Sequence, residues 1–219
     1  MMRGLIIKDY LLMKNQIKLL ILFLVIALIM AMNRGDSMFI ISYITFVITS
    51  LSLSTISYDE YENSDSYLFS LPITRTEYVK EKYLFAFMNT GAGWLLAILL
   101  VVGCEMIQNQ AISIQTLSLI GGLNFICAAA YIAVCLPLWI KLGPEKGRIT
   151  FFILAGVIVL AVSFSKLFAG NIDPEAFSSV LNVLNAYPLL IVSIPGGIVL
   201  LGVGISYLIS LGIVRKKEY

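Results

Sequence analysis

The residues best suited to chemistry lie in one short stretch. Asp59, Glu60, Glu62 and Asp65 put four of the chain's thirteen acids within seven residues, among Tyr58, Tyr61, Tyr67 and Phe69. Carboxylates so grouped could exchange protons or hold a cation, but either task needs partners that this chain lacks. There is no histidine, which removes imidazole relays, Ser-His-Asp nucleophiles and His-ligated zinc. Cys104, Cys127 and Cys135 lack metal or redox spacing and read as packing residues. No GxxxxGK[ST] run is present, and Gly143-Pro144-Glu145-Lys146-Gly147 reads as a turn. No metal or catalytic residue is therefore expected, and the chain is not expected to be an enzyme.

The chemistry left to residues 58–69 is recognition. Rigid aromatics anchor protein interfaces, whereas clustered acids make anionic lipid headgroups a poor surface. A cytosolic partner with a basic-rimmed groove fits both features. A solvated loop with scattered aromatics is the other reading of the same pattern.

The elements that must position this stretch are apolar. Of 219 residues, 59% are hydrophobic and only 13% charged, with a mean hydropathy of +0.94. Such a chain is a membrane protein. Its net charge of +2 without a basic patch gives no footprint for nucleic acid. Crossing ~30 Å of hydrocarbon takes about 20 apolar helical residues. Six segments approach or meet that length, at about 17–32, 38–57, 83–107, 117–140, 149–168 and 189–214, so the expected fold is an all-α membrane protein with a single transmembrane domain over 1–219.

With both termini cytoplasmic, thirteen of the fifteen basic residues fall inside, and only Arg34 and Lys166 outside. That agrees with the bias of Lys and Arg toward cytoplasmic loops. The first apolar run ends at Met32-Asn33-Arg34 without a small-residue cleavage pattern and reads as a retained span. Residues 1–16 fit either an interfacial helix or an extension of that span.

Two capping boxes bracket the acidic stretch: Ser57 with Glu60, and Thr74 with Glu77. They predict a short helix from about Tyr58 to Phe69, a corner at Leu71-Pro72, and a second helix from Arg75 running into the third span. A helix so short is marginal alone and needs a partner or a surface. In the second span Ser42, Thr45, Thr49 and Ser52 share a face. They either let helices pack closely, which residue size favours, or line a path for polar substrate. Glu105 is expected at the outer interface, and Asn124 is expected to bond a neighbouring helix. Asp173-Pro174-Glu175 starts a short external helix before the last span.

These features, with the run YLFSLPITRTEYVKEKYL from Tyr67 to Leu84, resemble a small ABC type 2 exporter permease. The run is also similar to permease subunits of phenol-soluble modulin exporters. The resemblance implies a plasma-membrane transport subunit that pairs with a second permease copy or paralogue. It implies that ATP and Mg are bound by a separate cytosolic ATPase, with no cofactor in this chain. By it, Tyr58, Asp59, Glu60, Tyr61, Glu62, Asp65, Tyr67 and Phe69 form the coupling helix that docks on the ATPase. Pro72, Thr74, Arg75 and Glu77 would then form the corner and cap of the lever, and the cargo would be an amphipathic or toxic peptide. A non-transporting scaffold or sensor that recruits a cytosolic partner is the competing expectation.

Overall fold

A computed structural model describes residues 2–33, 36–60, 74–108, 114–169 and 188–216, with the side chains of residues 2, 60, 115 and 144–191 excepted. The described residues are helical, in six elements: α1 (Met2–Asn15), α2 (Ile17–Met32), α3 (Ser37–Glu60), α4 (Arg75–Ile107), α5 (Ile114–Ala169) and α6 (Pro188–Lys216). Residues 61–73, which include Tyr61, Glu62, Asp65, Tyr67, Phe69 and Pro72, lie outside them, as does the expected external helix.

Among the described residues, four stretches are long and apolar enough to cross a membrane: Ser37–Asp59, Arg75–Ile107, Thr116–Gly143 and Val192–Lys216. The α2 helix has 16 residues, about 24 Å at 1.5 Å per residue, which is short of the hydrocarbon thickness. It meets α1 at a 63° bend, and the bent pair makes a fifth candidate if counted as one span. Residues 2–15 are thus a separate helix and not a straight extension of α2. The α5 helix is broken at Gly143, which has φ 76°. L side chains rarely adopt that backbone, and the following Pro144 disfavours helix there as well.

The helices pack as a bundle: α3 lies against α4 and α5, and α5 also packs along α6. Two apolar clusters divide it by depth. One joins Leu5 of α1, Leu53 and Ile56 of α3, Val79 and Tyr83 of α4, Ile132, Leu136 and Ile140 of α5, and Val214 of α6. The other joins Ala27 and Ala31 of α2, Ile40, Ile41, Ile44 and Ile48 of α3, and Ala97 and Val101 of α4. The first cluster collects the end of α3, the start of α4 and the end of α6. Among the basic residues, Lys8, Lys82, Arg75 and Arg215 are placed at this end by their contacts with Asp59 and with one another's helices. At the opposite end Ser37 donates to Glu105 Oε1 at 2.5 Å, and Gln108 donates to the carbonyl of Ala31 at 3.0 Å.

One expectation is corrected at the end of α3. Ser57, Tyr58, Asp59 and Glu60 continue that helix, so Ser57 caps no new helix start. The apolar positions Leu53 and Ile56 are still burying against α1 and α4 at this depth, and nothing in the sequence interrupts the backbone ladder before residue 60.

Candidate functional site

A buried ionic joint sits where α1, α3 and α4 meet. Lys82, on the third turn of α4, is 1% exposed and reaches two carboxylates. One is Asp9 of α1, paired through Oδ2; the other is Asp59 in the last turn of α3, whose Oδ2 lies 2.6 Å away. Lys8 pairs with Asp59 Oδ1 from the other side and stands 3.4 Å from Asp9 Oδ1. Hydroxyls complete the set: Tyr78 donates to Asp59 Oδ2 at 3.3 Å and Thr55 to Asp9 Oδ2 at 3.4 Å. The Lys82 ammonium also stands 5.5 Å from the centre of the Tyr78 ring, within cation–π range.

Local sequence explains how each group arrives. Leu5 and Asp9 are four residues apart on a helix and share a face; Leu5 is buried, which draws Asp9 inward with it. Tyr78 and Lys82 are likewise one turn apart on α4. That helix begins at a reciprocal capping box, in which Thr74 Oγ1 accepts from the Glu77 amide at 3.2 Å and Glu77 Oε2 accepts from the Thr74 amide at 3.0 Å. Arg75 donates to the Arg215 carbonyl at 2.5 Å and Tyr83 shares hydrogen bonds with Ser206 and Ser210, so α4 is also tied to α6.

Two lysines offset Asp9 and Asp59. Glu81 adds a third carboxyl, fully buried, with Oε2 4.0 Å from Lys82 Nζ and neither oxygen receiving a hydrogen bond among the described residues. A buried ion pair adds little net stability, but stripping one partner from it is costly. The joint therefore acts as an all-or-none fastening between three helices. Asp9, Asp59, Glu81 and Lys82 are all closed to solvent. No group of residues suited to a metal ion occurs among the described residues.

Of the residues expected to dock, Tyr58 is exposed, and its hydroxyl accepts from Gln16 Nε2 at 3.3 Å. Asp59 faces the joint at 3% exposure and offers no docking surface. Of those expected to line a path, Ser42, Thr45 and Thr49 border one cavity of about 200 Å³ between α3 and α5. Ser52 is buried apart from that cavity and donates to the Ile48 carbonyl at 2.9 Å. Sequence reasoning missed Asp9, Glu81 and Lys82 as a group, since Asp9 and Lys82 lie 73 residues apart. The one available signal was the shared face of Leu5 and Asp9.

Comparison with known proteins finds no match among curated proteins and none among solved structures. The family profile described as ABC-2 family transporter protein matches residues 4–215, nearly the whole chain. With its apolar helical bundle, the chain belongs to the ABC-2 transporter family, whose members are transmembrane subunits of ABC transporters.

Proposed function

We propose that this chain is the permease of an ATP-driven exporter in the plasma membrane and that it couples to a separate ATPase through the segment between α3 and α4. The observation that carries the reading is the Lys82 bridge. In sequence, residues 61–73 lie between Glu60, the last residue of α3, and Thr74, the cap of α4, and Lys82 of α4 joins Asp59 near the end of α3 to Asp9 of α1. A push on that segment would move three helices together rather than unwind one.

In this reading ATP and Mg belong to the ATPase, this chain is not an enzyme, and the docking groups are Tyr58, Glu60, Tyr61, Glu62, Asp65, Tyr67 and Phe69. Six spans with both termini cytoplasmic are supported by Lys8, Arg75, Lys82 and Arg215, which gather at one end of the bundle. Two permease copies form the path, since one short docking helix is a small contact that pairing would reinforce. The cargo class is amphipathic peptide.

Deleting residues 61–69 should leave the chain in the membrane and reduce copurification of the ATPase to background. Undiminished copurification would reject the docking assignment. It would favour a scaffold whose partner binds elsewhere.

A further inference from the structure

We infer that the outward face of α1 is a binding surface for anionic phospholipid headgroups, with Arg3, Lys14 and Lys18 as the residues that receive the phosphates. The inference needs the chain to sit in a membrane, as its family and its apolar helices show, and does not need the export reading.

The two faces of α1 differ in kind. Leu5 and Asp9 are buried against the bundle, whereas Ile7, Tyr10 and Leu11 are 60%, 64% and 54% exposed. Positions 7, 10, 11 and 14 follow the i, i+3, i+4, i+7 spacing of one helical stripe, and Arg3 lies one turn before Ile7 on it. The outward stripe is therefore apolar at its middle and cationic at both ends. Arg3, Lys14 and Lys18, the last just past the bend into α2, are exposed, and none pairs with an acid among the described residues. Asp9 is the only acid in α1, and it is turned into the joint. Inside the bundle, by contrast, polar groups are committed to one another: Asn124 Nδ2 donates to Ser42 Oγ at 2.7 Å, and the Trp94 N–H to the Gly121 carbonyl at 2.8 Å.

The geometry and the charge choose lipid as the occupant. α1 departs from α2 by 63°. With α2 entering the bilayer, α1 is laid toward the membrane plane, where an apolar stripe sinks below the headgroups and long cationic side chains rise to them. The ring and hydroxyl of Tyr10 suit the same depth. Exposed apolar side chains resume on α2 at Ile17, Ile21 and Leu22. A protein partner fits this face less well. The basic-rimmed groove that suits the acidic segment after α3 would be repelled here, and a two-fold contact with a second copy would set the same cations against each other. Each basic residue close to an anionic surface strengthens binding about fivefold, so three of them give a clear preference for charged lipid.

The test releases the full chain from nanodiscs of equal parts phosphatidylglycerol and phosphatidylcholine and counts the lipids that stay bound by native mass spectrometry. The parent chain should retain phosphatidylglycerol at least several-fold over phosphatidylcholine. Arg3→Gln, Lys14→Gln and Lys18→Gln together should bring that ratio close to one. Lys80→Gln, Lys141→Gln and Lys216→Gln together remove the same charge from three other exposed lysines and should leave most of the preference. All six side chains are exposed, so neither triple variant is expected to misfold. Equal retention of the two lipids by the parent, or equal ratios in the two triple variants, overturns the inference. An unchanged ratio in the first variant together with lost copurification of the ATPase also overturns it and gives the face to a protein partner.

Discussion

Lys82→Met should lower the stability of the permease by about 3 to 5 kcal/mol, the usual cost of removing one partner from a buried ion pair. The loss leaves Asp9 and Asp59 facing each other, both closed to solvent, with Lys8 as their remaining cation. In detergent the unfolding midpoint should fall on the order of 10 °C, read by thermal size-exclusion. The triple change Asp9→Leu, Asp59→Leu, Lys82→Met removes both charges' need for a partner and should regain most of that loss, as apolar replacement of a whole buried ionic set commonly does. Equal thermal stability of Lys82→Met and the parent chain would show that the joint fastens nothing. If the joint transmits movement as proposed, Lys82→Met should also lower substrate-stimulated ATP hydrolysis in the assembled transporter.

Gly93→Ala should be nearly as damaging, for a steric reason. A Cβ at Gly93 would meet Ile48 Cδ1 at 2.8 Å and Ile48 Cβ and Cγ2 at 2.9 Å, distances that force α3 and α4 apart. Overpacking of this kind costs about 1–3 kcal/mol. Ile48→Ala in the same chain removes Cδ1 and Cγ2 and should recover part of the loss. Gly91→Ala, two residues away with nothing within 4 Å of its added carbon, should be neutral or stabilising by up to about 1 kcal/mol, since alanine is the better helix former. Thermal midpoints of the three variants check the contrast. Similar values for the two alanine variants would mean that close approach at Gly93 is not what holds α3 to α4.

What could be read from the sequence followed locality. The Thr74 and Glu77 box, the break at Gly143 and the bond made by Asn124 each depend on a few neighbouring residues or on one polar group in an apolar run. The false start at Ser57 came from the same kind of evidence: its S-x-x-E spacing is real, but a helix already in progress overrides a capping signal. The ionic joint depends on which helices meet, and no local pattern in α1, α3 or α4 specifies that. Charged residues near a span end also look alike whether they face water or each other. Only burial distinguishes Asp59, turned inward, from Tyr58, its exposed neighbour.

The order of the joint's members along the chain has a consequence for biosynthesis. Lys8, Asp9 and Asp59 are all made before Lys82, so α1 and α3 are synthesised with Lys8 as the joint's one cation for two carboxylates and its buried cation still unwritten. The base of the bundle cannot close until residue 82 has left the ribosome, which makes insertion of α4 the step that commits the first three helices to their final arrangement.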